Sequence, residues 1–291
     1  MATMTGDHLP ISIIVLTYNE EVNIEACLRS VYDWAGEIFV VDSGSTDSTL
    51  EIAGRYTDQV FYHPFESWGA QMNWALENLP FSHEWVLRLD ADETVTPELA
   101  QELRCRLPAL PDDVTALYCK RRVYFLGKWI RHGGYYPTWL LRIFRRSSVR
   151  YERHYGEDEH AIILTGSPEY LKHDIVDYNR KALAFWTIKH EGYAAREVAS
   201  LLGMQPGTRA EIHGSLFGTP EVRKRWLKNN VYGRLPLFVR AFIYFLYRYI
   251  LRLGFLDGTE GLIFHFLQGC WYRFYVDAKI WEAKQQMADR T

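Results

Sequence analysis

Segments with the pattern of buried strands alternate with segments of helical periodicity over the first 107 residues. Residues 11–17 form a continuous apolar, β-branched run, and residues 22–31 then repeat apolar side chains at helical spacing. The same succession of strand and helix recurs at residues 38–56, 59–79 and 85–107. This alternation predicts an α/β fold whose parallel sheet has right-handed crossovers, which is a Rossmann-like nucleotide-binding half.

Polar side chains follow three of the predicted strands at the point where each strand ends. These residues are Thr17, Asn19, Glu20, Asp42, Asp90 and Asp92. Ligands of open α/β folds collect at the carboxyl ends of strands, so we expect these residues to outline one ligand site, with Asp42 accepting hydrogen bonds from a ribose or a base. The chain has neither a GxGxxG nor a GxxxxGK[ST] motif, which disfavours a dinucleotide or a P-loop nucleotide.

Asp90 and Asp92 stand one residue apart, directly after the predicted strand at residues 85–89. Two carboxylates at this spacing suit a hard cation such as Mg²⁺ or Mn²⁺, and they leave coordination positions free for substrate phosphates. The alternative is a surface turn whose acids cap the helix that begins at Pro97.

The composition is that of a globular protein with one large core and an appendage, because 48% of the 291 residues are hydrophobic and 24% are charged. A net charge of −3 gives no reason to expect a nucleic-acid partner. The four cysteines lie far apart without disulfide or zinc spacing, and the first ten residues lack the features of a signal peptide. We therefore expect a reduced, cytoplasmic protein.

Four sequence blocks carry a resemblance to a known family. They are ISIIVLTYNEE, IFVVDSGSTDST, WGAQMNWAL and WVLRLDADE, in this order. The chain resembles the family 2 glycosyltransferases of the GT-A fold, in the branch that builds bacterial lipopolysaccharide cores and exopolysaccharides. The resemblance implies a nucleotide-sugar donor, with a UDP-hexose favoured, and a divalent metal that holds its diphosphate.

The same resemblance implies roles for individual residues. Thr17, Asn19 and Glu20 would lie near the nucleotide, and Asp42 would contact the uracil or the ribose. Asp90 and Asp92 would hold the metal and the diphosphate. Gln71 and Asn73, in the helix after the third strand, would face the donor; the alternative for both is a solvated helix face.

Residues 115–125 and 140–144 read as further strands, separated by a glycine and aromatic loop at residues 127–137 that can close over a sugar. In the family a similar segment forms the acceptor side. We therefore expect a GT-A domain at residues 1–175, with a nucleotide-sugar half at about 9–110 and an acceptor half at about 111–175. A helical region would follow at residues 176–291.

An acidic run, Glu157, Asp158 and Glu159, lies where the family keeps its catalytic base. Inverting sugar transfer needs a carboxylate that takes the proton from the acceptor hydroxyl. The run fits two alignments, one with Asp158 and one with Glu159 as the base, and its composition alone also fits a solvated loop. His173 matches a family histidine that reaches the metal or the diphosphate; the alternative is an ordinary polar histidine at a strand end.

The C-terminal third is basic and aromatic, with eight Lys or Arg against one acid at residues 221–252. Residues 237–256 have the length of a membrane span, but Arg240, Arg248 and Arg252 interrupt it. The three arginines fall within about a third of a helix circumference. This pattern predicts an amphipathic helix on an anionic membrane surface. The alternative is a helix packed on the protein core with its arginines in solvent.

The sequence thus favours an inverting, metal-dependent glycosyltransferase. It would move a hexose to a lipopolysaccharide-core, exopolysaccharide or lipid-linked glycan acceptor at the inner face of the cytoplasmic membrane. A rival is a haloacid-dehalogenase-type phosphohydrolase with Asp90 as nucleophile, because residues 90–94 fit DxDxT. That class carries the motif after its first strand, whereas three strand–helix units precede it here. A non-catalytic nucleotide-sugar-binding protein is the third alternative, disfavoured because the acid pair and the acidic run are both intact.

Overall fold

The computed structural model describes residues 8–152, 161–202, 215, 217 and 220–289. These residues divide into two compact units. The first unit contains the described residues up to 124 together with 137–151 and 161–180, and the second contains residues 125–136, Glu152 and the described residues from 181 onward. The division at residue 180 lies near the expected boundary at 175, but the glycine and aromatic loop belongs, except for Pro137, to the second unit.

The first unit is built on strands and helices that alternate along the chain. Its N-terminal elements are β1 (Leu9–Thr17), α1 (Ile24–Tyr32), β2 (Ala35–Asp42), α2 (Thr49–Ala53), β3 (Val60–Tyr62), α3 (Trp68–Asn78), β4 (Trp85–Asp90), β5 (Glu93–Val95) and α4 (Pro97–Arg106). They are followed by β6 (Val114–Phe125), β7 (Lys128–Ile130), β8 (Thr138–Arg145), β9 (Val149–Tyr151), β10 (Ala161–Ile163) and β11 (Ser167–Asp177), of which β7 lies in the second unit.

Eight of these strands follow one another in one mixed sheet, in the order β3-β2-β1-β4-β8-β6-β11-β5. The strands β3, β2, β1 and β4 are parallel, whereas β8 is antiparallel to both β4 and β6. One face of the sheet packs against α1 and α4, and the other packs against α3 and β9. The predicted α/β class, with a parallel half and a mixed extension, is confirmed.

Side chains next to the strands explain where the helices begin. Thr96 caps α4, because its hydroxyl accepts from the Leu99 N–H at 3.2 Å and Pro97 occupies the first helical turn. Asn19, which follows β1, does not cap the first helix, because α1 begins at Ile24 and its N-cap position is Asn23. Asn19 has a left-handed backbone with φ 53°.

The second unit is helical. Its helices are α5 (Leu183–Leu201), α6 (Pro220–Asn230), α7 (Val239–Leu246), α8 (Gly258–Phe266) and α9 (Tyr272–Ala288), with π-helical turns at Tyr247–Leu251 and Leu267–Trp271. Its apolar core joins α5 to α9 through Ala194, Val198, Tyr272, Val276 and Ile280. The predicted helical C-terminal region is therefore present. Among the described helices, none is both long and apolar enough to cross a membrane.

The predicted orientation of the basic helix is wrong. Arg240 is buried, Arg248 is half-buried, and of the three arginines only Arg252 is exposed. The buried arginine is matched by a buried acid, since Arg240 Nε donates to Asp277 Oδ1 at 2.7 Å. Arg240 and Arg248 therefore do not belong to an outward basic face, because partners distant in sequence accept their hydrogen bonds inside the second unit.

Candidate active site

The carboxyl ends of β1, β2 and β4 lie side by side in the sheet. Thr17 pairs with Asp42, and Leu16 pairs with Asp90, in two parallel registers that share β1. We call this edge the strand-end rim. The rim brings together the polar residues that follow these strands, as expected for a ligand site of an α/β sheet.

Asn19 and Glu20 fasten the loop after β1 to the loop after β2. The Asn19 N–H donates to Ser45 Oγ at 2.8 Å, and Asn19 Oδ1 accepts from the Thr46 N–H at 2.8 Å. The Glu20 N–H donates to Thr49 Oγ1 at 2.7 Å. Asparagine tolerates the left-handed backbone that this arrangement needs at Asn19. Both residues therefore shape the rim, and their contact with a nucleotide stays a prediction.

The Asp42 carboxylate is buried and organises the turn that follows β2. Asp42 Oδ2 accepts from the N–H groups of Gly44 and Ser45, each at 2.8 Å, and Oδ1 accepts from the Ser45 hydroxyl at 2.5 Å. A carboxylate has about four lone-pair sites, so about one remains for a ligand. In this structure Asp42 holds the turn, and its predicted contact with uracil or ribose stays a prediction.

Two arginines hold the Asp90 carboxylate. Arg88 Nη2 donates to Asp90 Oδ1 at 3.1 Å, and Arg142 Nη2 donates to Asp90 Oδ2 at 3.0 Å. Arg88 and Asp90 are two residues apart on β4, so their side chains leave the same face of the sheet. Burial acts to raise the pKa of Asp90, but the two arginines outweigh it and hold that pKa well below its ordinary value. Asp90 is therefore ionised and fixed in place.

Arg142 also binds a second buried acid, Glu93. Arg142 Nη2 donates to Glu93 Oε1 at 2.5 Å, while the Asp90 N–H donates to Glu93 Oε2 at 3.1 Å. Burial raises the pKa of Glu93 to about 7; Arg142 opposes the rise, and Asp90 and Asp177 add to it. Glu93 and Arg142 thus brace the turn that carries the acid pair.

Asp92 has a different environment from Asp90. Its carboxylate accepts from Asn179 Nδ2 at 2.9 Å, and its backbone carbonyl accepts from the Tyr178 N–H at 2.9 Å. Asn179 Oδ1 in turn accepts from Asn23 Nδ2 at 3.4 Å. No lysine or arginine among the described residues forms an ion pair with Asp92. Of the two acids, Asp92 is therefore the one that retains an uncompensated negative charge.

Four buried polar atoms at or beside the rim have no hydrogen-bond partner within the described part of the chain. They are Thr17 Oγ1, Arg88 Nε, Arg142 Nε and Tyr151 Oη. Arg88 also lies over the Tyr151 ring, 5.3 Å from its centroid. Leaving a buried polar group unpaired costs about 1–3 kcal/mol, so such atoms usually meet water or a ligand. A polar, anionic ligand fits this set of groups.

A metal ion fits the rim only together with a ligand. Among the described residues, no group of three or more His, Cys, Asp or Glu side chains is arranged to hold a metal. Mg²⁺ is commonly bound by one or two carboxylates plus substrate phosphates, with water completing the octahedron. The acid pair therefore suits a cation that arrives with a diphosphate.

Gln71 and Asn73 are buried, so the alternative of a solvated helix face is wrong, and their predicted contact with the donor stays a prediction. Gln71 Nε2 donates to Ser43 Oγ at 3.0 Å and to the His63 carbonyl at 3.1 Å. Asn73 forms two hydrogen bonds with the backbone of Tyr151, at 2.8 and 3.0 Å. Both side chains are buried. Gln71 holds Ser43 and His63, which follow β2 and β3. Asn73 holds β9, whose Tyr151 ring lies beneath Arg88.

His173 lies on the other face of the sheet from Asp90, so we remove it from the predicted metal ligands. On β11, His173 shares a face of the strand with Leu171 and Ile175, which belong to the core beside α4. Its Nδ1 is 2.8 Å from Glu102 Oε2. Side chains two residues apart share a face of a strand, and this alternation determines where His173 points.

The predicted bases, Asp158 and Glu159, lie outside the described residues. The strands on either side of the acidic run are described, and they pair antiparallel with Tyr151 opposite Ala161 and Val149 opposite Ile163. The acidic run therefore connects two paired strands, and Asn73 fastens the first of them.

Several residues at the site were missed from sequence. Arg88 had a usable signal, because a strand places residues 88 and 90 on one face, and so had Arg142, because it interrupts the apolar run of residues 139–144. Asn23 and Asn179 had none, since they meet across 156 positions of the chain.

Comparisons with known proteins identify a family model and several relatives that match this chain. The family model described as glycosyl transferase family 2 matches residues 12–168. The lipopolysaccharide core biosynthesis glycosyltransferase LpsC of Rhizobium meliloti is 33% identical over 154 residues, which are 50% of this chain and 54% of that protein. An uncharacterized glycosyltransferase of Rickettsia bellii is 38% identical over 93 residues, covering 32% of this chain and 31% of the relative. The chain thus spans about half the length of LpsC, and less of the second relative.

Among solved structures, residues 1–349 of Staphylococcus aureus TarS align with 96% of this chain and 92% of that one. The sequence identity is 15% and the TM-score is 0.45. A likeness at this level carries no conclusion about substrates.

Proposed function

This chain belongs to glycosyl transferase family 2, whose family model matches residues 12–168 of its 291, and from that premise we propose that it is an inverting glycosyltransferase. It transfers a hexose from a nucleotide sugar, a UDP-hexose, to a glycan acceptor. The observation that carries the proposal is the strand-end rim, where Thr17, Asp42 and Asp90 end three adjacent parallel strands. The unpartnered polar atoms around Asp90 support an anionic ligand there.

Asp92 and Asp90 would hold a divalent cation, Mg²⁺ or Mn²⁺. Asp92 suits this role because its carboxylate accepts only from the neutral amide of Asn179 among the described groups. When bound, the ion offsets the negative charge of the departing diphosphate. The protein's own groups keep the acids in position: Arg88 and Arg142 hold Asp90, and Asn179 orients Asp92.

The acceptor hydroxyl needs a base, and we assign it to the acidic run, with Asp158 preferred and Glu159 as the alternative. The family pattern supports the run, and so does its position between β9 and β10. Asp158→Asn and Glu159→Gln should be compared for turnover and for donor affinity. Loss of the true base lowers turnover by about 10²–10⁴ and leaves donor binding near normal, because the base meets only the acceptor. If neither substitution lowers turnover, the base lies elsewhere.

The proposed acceptor is a class of three kinds of glycan, and a relative supports one of them. A lipopolysaccharide core, an exopolysaccharide or a lipid-linked glycan is built on a lipid or beside a membrane, and the name of the LpsC relative supports the first of these. We therefore place the protein at the inner face of the cytoplasmic membrane as a peripheral protein whose partner is an anionic membrane surface.

A donor screen tests the proposed function. Binding of UDP-, GDP- and TDP-hexoses is measured by calorimetry with and without Mn²⁺, and hydrolysis of the bound sugar is followed beside hydrolysis of a generic phosphoester. We expect tight binding of one UDP-hexose that needs the metal, slow release of its sugar, and no phosphoester hydrolysis. Phosphoester turnover would favour the phosphohydrolase, and binding without any hydrolysis or transfer would favour a non-catalytic protein.

A further inference from the structure

The helical segment from Val239 to Leu251 has its charged and apolar faces reversed relative to a helix on a water-exposed surface. Its arginines point into the second unit, and its apolar side chains point out. Such an arrangement is unfavourable in water, because a buried guanidinium must find partners inside the protein and exposed large apolar side chains forfeit their burial. The outer side of this segment is therefore built to meet something other than water.

The inward arginines are well accommodated. Arg240 donates to Asp277, which is fully buried, and lies over the Tyr232 ring at 4.9 Å. Arg248 Nε donates to the Gly133 carbonyl at 2.8 Å, and its guanidinium lies 3.9 Å from the centroid of the Tyr135 ring. These partners come from α9, from the turn Tyr232–Arg234 and from the glycine and aromatic loop. The orientation of the segment is thus fixed by one buried ion pair and by the carbonyl and rings that meet the arginines.

The outer side of the segment is almost wholly apolar. Between residues 239 and 256, every exposed residue except Arg252 is apolar or aromatic. We call this set the α7 outer face: Val239, Phe242, Ile243, Leu246, Tyr247, Ile250, Leu251, Leu253, Phe255 and Leu256, each between 44% and 73% exposed.

The α7 outer face continues onto the neighbouring helices. Phe242 contacts the exposed Phe274 of α9, with ring centroids 6.1 Å apart, and Phe274 contacts Phe238 at 5.0 Å. Phe238 in turn contacts the exposed Trp281 at 6.3 Å. Single exposed apolar residues are ordinary, but a contiguous set of this kind marks a protein or membrane contact.

The charges around the α7 outer face favour an anionic surface. The acids of residues 239–266 are Asp257 and Glu260. Asp257 is buried and accepts from the His132 N–H at 2.9 Å, while Glu260 pairs with Lys128 at 3.4 Å. The exposed Arg252 sits beside the Tyr247 hydroxyl, to which its Nη1 donates at 3.5 Å. Residues 239–256 therefore present a cation and a phenol at the edge of the face and contain no acid.

Other occupants fit less well. A two-fold dimer would place the same face against itself, so Arg252 would meet a cationic, acid-free surface. The longer undescribed segments, residues 153–160 and 203–214, are mostly polar and contain few large apolar side chains. A bilayer supplies both requirements, apolar depth for the helix and phosphate for Arg252 and Tyr247.

We propose that the α7 outer face inserts into one leaflet of an anionic bilayer, with Val239–Leu251 lying in the plane of the membrane. Its apolar side chains pass below the headgroups, typically by about 5–10 Å, while Arg252 and Tyr247 stay at the headgroup level. This inference rests on the proposed function, and it names the surface that would contact the proposed membrane partner. It reverses the expectation from the sequence, because the exposed leucines and phenylalanines contact the membrane and the inner arginines do not.

Vesicle binding tests the insertion. The full chain is sedimented with phosphatidylcholine vesicles that contain or lack phosphatidylglycerol, beside a triple variant, Leu246→Gln, Ile250→Gln and Leu251→Gln. The matched control changes three exposed apolar residues on other elements, Leu164→Gln, Ile188→Gln and Leu201→Gln. We expect the first variant to lose about a hundredfold in partitioning and the control to bind like the parent, because only the first removes inserted side chains. Equal binding by both variants overturns the proposal.

The charge at the edge gives a second readout. Arg252→Gln should weaken binding about fivefold on vesicles with phosphatidylglycerol and not on neutral ones, and raised salt should do the same. Arg252 is exposed, so this single change keeps the proposal testable if the triple variant fails to fold. If the parent binds neither kind of vesicle, insertion is overturned. Insertion is also overturned if the parent forms a dimer that the triple variant does not form and neither protein binds vesicles. Hydrolysis of UDP-hexose without vesicles is unchanged in all variants, and its absence in the parent would count against the proposed function alone.

Discussion

The strand-end rim and the α7 outer face both depend on arginines held inside the protein, but for opposite purposes. At the rim, Arg88 and Arg142 bind Asp90 and still keep an unpartnered Nε among the described residues. In the second unit, Arg240 directs both Nε and Nη2 at Asp277. The rim arginines hold an acid ready for a ligand, whereas Arg240 is paired with a buried acid so that the opposite side of its helix is free of charge.

Because of this difference, substitutions in the two regions should affect different properties of the protein. Changes at the rim should affect chemistry more than membrane binding. Changes in the pairs beneath α7 should affect stability more than chemistry. Three substitutions test this separation, beginning with the largest expected effect.

Removal of Asp92, the acid without a cationic partner among the described residues, should have the largest effect on transfer. Asp92→Ala should lower transfer by at least about a thousandfold, because the metal's stabilisation of the leaving diphosphate is worth several kcal/mol. Transfer by the parent should fall similarly in EDTA and return with Mn²⁺, and the urea midpoint should stay near the parental value. The control is Asp58→Ala, an exposed acid away from the rim. Full activity in EDTA, or in Asp92→Ala, would contradict a metal role for this acid.

Removal of a paired arginine should distinguish the two regions. Arg240→Met leaves Asp277 buried without its cation, which typically costs about 3–5 kcal/mol of unfolding free energy. Transfer measured well below the unfolding midpoint should be unchanged. Arg142→Met should lower both stability and transfer, since it releases Asp90 as well as Glu93.

The exposed pair of Arg55 with Glu51 provides the control for these substitutions. Arg55→Met should change unfolding free energy by less than about 1 kcal/mol, because exposed ion pairs contribute little. Urea unfolding and initial rates at one temperature measure both quantities. If Arg240→Met lowered transfer as much as Arg142→Met, the two regions would not be separate.

The smallest effect concerns pH in the second unit. Burial lowers the pKa of His265 to about 4; Arg248 and His132 add to the shift, and Asp257 opposes it. The rings of Tyr135 and Tyr249 also face it. Above about pH 6.5 the imidazole is neutral whether the chain is folded or unfolded. Between about pH 6.5 and 4 only the unfolded chain takes up the proton, so stability falls as pH falls through this window.

His265→Gln removes this titration. The parent should lose about 1–2 kcal/mol more than the variant between pH 7 and pH 5, as measured by urea unfolding at each pH. The comparison uses the change with pH in each protein, so a constant cost of the substitution cancels. Parallel stability curves for the two proteins would show that His265 does not resist protonation.

Much of the site could be predicted because it depends on local pattern. Apolar runs specified β1, β2 and β4, and the polar residue after each run specified what meets at the rim. Asp42 was located correctly, but its three hydrogen bonds to the following turn were not foreseen. The partner of Asn73 could not be foreseen either, since Tyr151 lies 78 positions away.

The sequence by itself determined the N-terminal strand–helix units, their order and the acids at the strand ends, because periodicity and turn chemistry act over a few residues. The tertiary structure alone decided toward which part of the fold the long side chains point. His173 faces α4 because Leu171 and Ile175, on the same face of β11, pack in the core beside that helix. Arg248 points inward because a carbonyl 115 positions away accepts its guanidinium. A helical pattern identifies two faces, and only the packing partners determine which of them is inside.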